Sequence, residues 1–204
     1  HHIAHDLPIR ISDPARELDL VYIDDVVDAL LGVADGTARV GAGHLALNPI
    51  PSSRINLGRL ADRIRAFRDM RRTLLVPDLS DRFDLQLYAT YLSYVEPEHW
   101  AYDLERRSDN RGELAEWIKS SSFGQIFVSR THPGITRGNH YHHTKTEKFF
   151  VIAGTGIVRF RHVESNEVIE FPVRGEDYRV IDIPPGYTHS ITNVGDSEMI
   201  TLFW

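Results

Sequence analysis

The chain has 204 residues, 42% of them apolar, which is enough for one large hydrophobic core or two small ones. Its net charge of -6 argues against wholesale binding to nucleic acid or to an anionic membrane, and no run is apolar and long enough to span a bilayer or to read as a signal peptide. Cysteine is absent, so disulfides and thiolate metal sites are excluded, a composition that fits a reducing cytoplasm.

Residues 1–100 mix short strands with helices. LDLVYI (Leu18–Ile23) predicts a strand. Asp24–Ala34 predicts a helix, with Asp24 and Asp25 at the end where the macrodipole favours negative charge and Gly36 as the stop. HLALN, which contains Leu45, predicts a short strand. Ile55–Arg71 carries Leu60, Ile64 and Phe67 at helical period, and Asp81–Val95 does the same with Phe83, Leu87, Tyr91 and Tyr94. These stripes read as core. Glu96–Asn110 is polar and contains a proline, so it reads as a linker. From Phe123 the texture changes. QIFVSRT, EKFFVIA, GIVRFRHV, EVIEFPV, YRVIDI, HSITNV and MITLFW are short β-branched and aromatic runs parted by Gly, Pro, Asn and Asp, the pattern of a β-sandwich or barrel. Both ends read as cut. The chain opens on His1 and stops at Trp204 inside a strand-like run, which implies a piece of a longer protein whose β-rich region is truncated at its C-terminus.

The densest chemistry lies in Pro133–Gly156. Gly134, His140, His142, Glu147 and Gly154 read G-x5-H-x-H-x4-E-x6-G. Further on, Pro184, Gly186, His189 and Asn193 read P-x-G-x2-H-x3-N. Strand alternation puts His140 and His142 on one face, a turn at Thr144 and Lys145 returns Glu147 to the same interior, and a Pro-Pro-Gly turn precedes His189. Three neutral imidazoles and a carboxylate form a ligand set for one divalent metal, zinc first, with iron, manganese or nickel also suited.

This spacing resembles the cupin family. One glycine departs from the pattern: eight residues separate Gly175 from Pro184 where the family has five, which implies a longer loop or a bulge. In the first region, LVYIDDVVDAL (Leu20–Leu30) resembles the C-terminal part of an extended short-chain dehydrogenase/reductase. No Gly-rich phosphate loop follows a first strand, no Tyr-x3-Lys pair is present, and GAGH (Gly41–His44) lacks the context of a dinucleotide fingerprint. NADP(H) binding would therefore belong to a full-length protein. The expected fold is α+β: a small α/β reductase tail over residues 1–97, then a cupin barrel (jelly roll) over 98–204.

Taken together, LVYIDDVV, LYATYLSY, RGELAEWIK, PGITRGNHYHHTKTEKF, VRFRHV and DIPPGYTH resemble the CapF-type family of capsular polysaccharide-assembling sugar-nucleotide enzymes. That resemblance implies metal-dependent C-3 epimerisation of a UDP-4-keto-6-deoxy-hexosamine by the cupin, followed by NADPH-dependent reduction at C-4 by the other domain. It also implies a UDP-sugar substrate and, by analogy with other cupins, a homodimer in the cytoplasm, with neither nucleic acid nor membrane as a partner.

Asp109-x-Arg111-Gly112, with Glu116 after it, resembles the start of dTDP-4-keto-sugar epimerases, in which the histidine of an Arg-Gly-x-His-Tyr segment is the base. Arg137, Gly138, His140 and Tyr141 occupy that segment here, so His140 has two roles open, metal ligand and base, and the ligand role is favoured. Tyr187 and Lys145 are further candidates for proton transfer. Asp109, Arg111, Arg137 and Arg161 are candidates for binding substrate, the arginines through a diphosphate. Arg159 and Arg161 share one strand face, where an outward salt-bridged pair is the commoner outcome. Two rival readings stay open: a non-haem iron dioxygenase with the same ligands, and a non-catalytic cupin that binds sugar or stabilises a dimer.

Overall fold

The computed structural model describes residues 1–37, 40–41, 44–45 and 50–204. They divide into two compact units, His1–Thr73 with Pro77–Ala101 and Leu74–Val76 with Tyr102–Trp204. The expected boundary after residue 97 thus falls at Ala101, and three earlier residues join the later unit. Backbone pairing is the reason: Lys119 N donates to Leu74 O at 2.7 Å and Val76 N donates to Lys119 O at 2.8 Å.

In the first unit, β1 (Glu17–Val21) leads into α1 (Ile23–Ala34), with Asp24 and Asp25 in its first turn. β2 (Val40–Gly41) and β3 (His44–Leu45) form a short antiparallel pair, and the rest of the expected HLALN strand lies outside the described residues. β4 (Ser52–Asn56) pairs antiparallel with β1, setting Ile55 opposite Leu18. Ile55 therefore belongs to a strand and not to the helix expected there. Asn56 then accepts the N–H of Arg59 at 2.8 Å, as a helix-capping side chain does, and α2 (Leu57–Thr73) begins. α3 (Arg82–Leu92) is capped by Asp81, whose Oδ1 accepts from Phe83 N at 2.8 Å and Asp84 N at 3.3 Å. Phe67, Tyr91 and Val95 form this unit's buried cluster, each large side chain contributing about 1.5–3 kcal/mol of hydrophobic stabilisation.

The second unit is a β-sandwich. Its strands are β5 (Arg106–Asp109), β6 (Gly112–Ser120), β7 (Gly124–Thr131), β8 (Thr136–His140), β9 (Glu147–Ala153), β10 (Thr155–His162), β11 (Val168–Arg174), β12 (Val180–Ile183), β13 (Tyr187–Asn193) and β14 (Met199–Phe203). One sheet has the order β12-β9-β14-β7-β6-β5, the other β11-β10-β13-β8, and the pairings within them are antiparallel. Alternation sends Phe149, Val151, Met199 and Phe203 from the first sheet and Val158, Phe160 and Ile191 from the second into a common core. β5 and most of β6 fall where a linker was expected or where no element was read. The residues added before Pro184 form one 3-10 turn, Gly175–Asp177, ended by Tyr178 at φ +49°. That turn connects β11 to β12, neither of which carries a metal-donor candidate.

Candidate metal centre

Two strands of the shorter sheet, one of the longer sheet and one loop build the centre. β13 lies between β10 and β8, so His189 faces Phe160 on one side and His140 on the other. Residues opposite each other in an antiparallel pair share a face, and Phe160 is core, so His189 and His140 also face the interior. Arg137 pairs with Ile191, a core residue, and points the same way. Residues 137 and 140 could not share a face on a regular strand. A bulge makes it possible: the register slips between His189 and Ser190, and Gly138 and Asn139 take φ +98° and +65°. The strand ends at His140, and His142 reaches the interior from the loop beyond. The expected plain alternation of His140 and His142 is thus replaced by a bulge followed by a loop.

Glu147 opens β9 opposite Ile183, whose side chain is core. Its Oε2 lies 3.2 Å from His142 Nε2 and 3.1 Å from His189 Nε2, while Lys145 Nζ donates to its Oε1. Ring centroids stand 4.9 Å apart for His140–His142, 4.7 Å for His140–His189 and 5.5 Å for His142–His189. One donor atom from each of His140, His142, Glu147 and His189 lies within 4.8 Å of all the others.

The protonation pattern suits a cation. His189 Nδ1 donates to Tyr187 O at 3.2 Å, and its Nε2 faces the Glu147 carboxylate at 3.1 Å. Nε2 of His189 and of His142 are buried with the Glu147 carboxylate beside them, at 3.1 and 3.2 Å, an inward-facing set of donors that a metal ion would bind. Burial alone would raise the Glu147 carboxyl, but His189 and Lys145 at its oxygens outweigh it and hold the pKa at about 2, so the group is a carboxylate. Burial, reinforced by the neighbouring His189 and His142, lowers the pKa of His140 and favours its neutral ring. Neutral imidazoles and an ionised carboxylate are the forms that ligate zinc and other borderline divalent ions.

A cavity of about 140 Å³ adjoins the donors, with Arg137, His140 and Glu147 in its wall. Arg137 donates from Nε to Thr131 Oγ1 at 3.0 Å and from a terminal nitrogen to Arg130 O at 3.3 Å. Burial, then the charge of Arg111, lowers its pKa, with Asp109 only partly opposing. It has no ion-pair partner among the described residues, although it is half-buried. Asp109 and Arg111 flank the β5–β6 turn, joined at 2.9 Å from Arg111 Nε to Asp109 Oδ2. Tyr187 lies on the inner face, its ring edge-on to His162 at 5.0 Å and to Phe160 at 6.3 Å. Arg161 is not brought to the cluster. It lies on the face of β10 opposite Phe160, exposed, and donates to Ser165 O at 3.3 Å. Arg159 on that face bonds Glu170 at 2.6 Å, the outward pair expected of that strand.

Sequence reasoning missed the aromatic wall of the cavity, Phe127, Phe149 and Phe203, which comes from three strands of the longer sheet. Asn193, the last residue of the second motif, has a structural task. It is fully buried, and its Nδ2 donates to Thr131 O and Ser197 O, both at 2.8 Å.

Two facing antiparallel sheets with three histidines and a glutamate gathered between them make a cupin fold. Residues 107–204 match the polysaccharide biosynthesis C-terminal domain. Over all 204 residues the chain is 38% identical to the UDP-2-acetamido-2,6-beta-L-arabino-hexul-4-ose reductase of Pseudomonas aeruginosa and covers 54% of that relative. The capsular polysaccharide assembling protein CapF from Staphylococcus aureus superimposes with a TM-score of 0.90 at 40% identity, over 99% of this chain and 54% of that one. A crystal structure of CapF with the inhibitor 3-isopropenyl-tropolone gives 0.92 at 40% identity, over 99% and 58%. The chain is thus a close homologue of CapF and spans about half the length of these relatives.

Proposed function

We propose that the β-sandwich unit is the epimerising module of a sugar-nucleotide enzyme in capsular polysaccharide precursor synthesis. In this reading it inverts C-3 of a UDP-4-keto-6-deoxy-hexosamine with the help of a divalent metal, zinc first. The name of the Pseudomonas relative supports the substrate class, since it describes a UDP sugar carrying a ketone at C-4. The observation that carries the reading is a cavity whose wall holds two of the four clustered donors, His140 and Glu147, together with Arg137, half-buried and without an ion-pair partner among the described residues.

A C-4 ketone acidifies the hydrogen on C-3. Removing that proton places negative charge on O-4, and returning a proton to the opposite face inverts the carbon. A divalent ion held by His140, His142, Glu147 and His189 supplies Lewis-acid polarisation when bound. The Arg137 guanidinium adds a fixed positive charge to the same wall, and the apolar lining strengthens its effect on a developing oxyanion. Tyr187 and Lys145, which flank the donors in sequence, carry the exchangeable protons this reading gives to the return step. Residues 1–97 are, in the same reading, the C-terminal part of a reductase domain that reduces C-4 with NADP(H) bound by residues beyond this chain. The enzyme works in the cytoplasm as a homodimer.

Solvent-deuterium incorporation at C-3, followed by NMR with metal analysis alongside, tests the proposal. The metal-loaded protein should exchange the C-3 hydrogen, and His189→Ala should lose metal and exchange together. No exchange in the loaded protein would refute the function. Exchange that survives metal removal would refute the Lewis-acid role and make His140 the base.

A further inference from the structure

We propose that the cavity beside the donors is a seat for the methyl group on C-5 of the sugar, and that it makes this unit selective for 6-deoxy over 6-hydroxy substrates. The inference rests on the sugar-nucleotide reading above and adds to it the residues that would select the 6-deoxy group.

The cavity has two chemically different ends. Arg137, His140 and Glu147 form a polar rim, and Leu114, Phe127, Phe149, Ile191 and Phe203 form the apolar remainder. Ser129 supplies the one other polar side chain in the wall. It is 1% exposed, and its hydroxyl donates to Glu113 O at 3.3 Å. A sugar hydroxyl placed deep in this space would find no free donor and only the Ser129 oxygen as acceptor, so most of its hydration would be lost without replacement.

Sugar geometry couples the two ends. C-4 and C-5 are bonded neighbours, so a ring that presents O-4 to the polar rim carries its C-5 substituent next to it, against the apolar wall. A methyl group is about the size of a water molecule, roughly 30 Å³, so a volume of about 140 Å³ holds it together with the adjoining ring edge. The wall is also stiff. Phe127 and Phe203 stack at 4.8 Å with their planes 3° apart, and Phe149 meets Phe203 edge-on at 4.5 Å. Close-packed aromatic rings of this kind do not collapse to fill the space.

A purely apolar pocket rejects an added hydroxyl by up to about a hundredfold. The metal-loaded protein should therefore favour the substrate bearing CH3 at C-5 over the one bearing CH2OH by roughly ten- to a hundredfold in kcat/KM for C-3 deuterium exchange. Leu114→Ser puts a hydroxyl into the wall at a half-buried position outside the core cluster, and should shrink that ratio at least about fivefold. Leu114→Phe fills the space and should slow exchange of both substrates. Circular dichroism and metal content establish that each variant is folded and loaded. A wild-type ratio near one, or a ratio that Leu114→Ser leaves unchanged, overturns the methyl seat while leaving the epimerase reading intact. Absence of exchange with both substrates overturns the epimerase reading and this inference with it.

Discussion

Gly138→Ala tests the bulge that aligns the donors. Gly138 has φ +98°, and a Cβ there would stand 2.7 Å from His189 O and 3.0 Å from Ser190 Cα. These are backbone atoms of the neighbouring strand, so no side chain can swing aside. Holding an L residue in this conformation costs about 1–3 kcal/mol. Relieving the overlap by moving strands costs a further 1–3 kcal/mol or so. A loss of about 2 kcal/mol or more lowers the melting temperature of a unit this size by roughly 8 °C or more. The same displacement moves His140 away from His189, and metal affinity should fall about tenfold or more, the range seen when the support of a metal ligand is disturbed. Thermal melts of the metal-free protein and chelator competition on the loaded one measure the two effects. Gly134→Ala is the control. Gly134 has φ +74° with nothing within 4 Å of an added Cβ, so it carries the conformational cost alone and should leave metal affinity unchanged. If Gly138→Ala melts within 2 °C or so of wild type, or if both variants bind metal equally well, close strand approach does not shape this site.

Two further predictions address charge and capping. Because the Glu147 pKa is held at about 2, below its unfolded value of 4.5, its stabilising contribution is complete above pH 4.5 and is lost as pH falls toward 2. The free-energy gap between metal-free wild type and Glu147→Gln should therefore close by about 3 kcal/mol over that window in urea titrations, and Lys145→Met should shift the loss to higher pH; a gap independent of pH would refute the paired carboxylate. Asp81→Ala removes the cap of α3 and should cost about 1 kcal/mol, read as faster hydrogen exchange at the Phe83 and Asp84 amides; unchanged protection would show that the cap contributes nothing.

The β-sandwich was legible where hydropathy alternates. In β9, Glu147, Phe149 and Val151 are buried while Lys148 and Ile152 are exposed, and the run EKFFVIA marks that strand residue for residue. β5 and β6 gave no such signal. Arg106, Glu113, Glu116 and Lys119 pair with one another, Arg106 with Glu113 at 3.8 Å and Lys119 with Glu116 at 2.6 Å, and a register shift between Glu116 and Ile118 breaks the period. The same physics hid Ile55, whose helical-looking spacing served a two-stranded ladder. The donors could be read because three of them lie within eight residues, His140–Glu147, and the fourth follows a turn motif. The phase of Arg161 could not be read, since only the pairing of Phe160 with His189 decides which side of β10 faces inward. The cavity wall was hidden for a further reason. Leu114, Phe127, Phe149, Ile191 and Phe203 sit on five strands, and their neighbours in sequence say nothing about their neighbours in space.

The place of β14 has a consequence for how the molecule is made. Met199–Phe203 lies between β9 and β7, and it alone joins β12 and β9 to β7, β6 and β5 in the longer sheet. On the ribosome, all four donors emerge before this segment does. The nascent sheet exists as two unjoined ribbons with open edges until Phe203 is synthesised, a long-range closure of the kind that slows folding and exposes intermediates to aggregation. Cation capture by a finished pocket is thereby deferred until β14 has been synthesised and has slotted between β9 and β7.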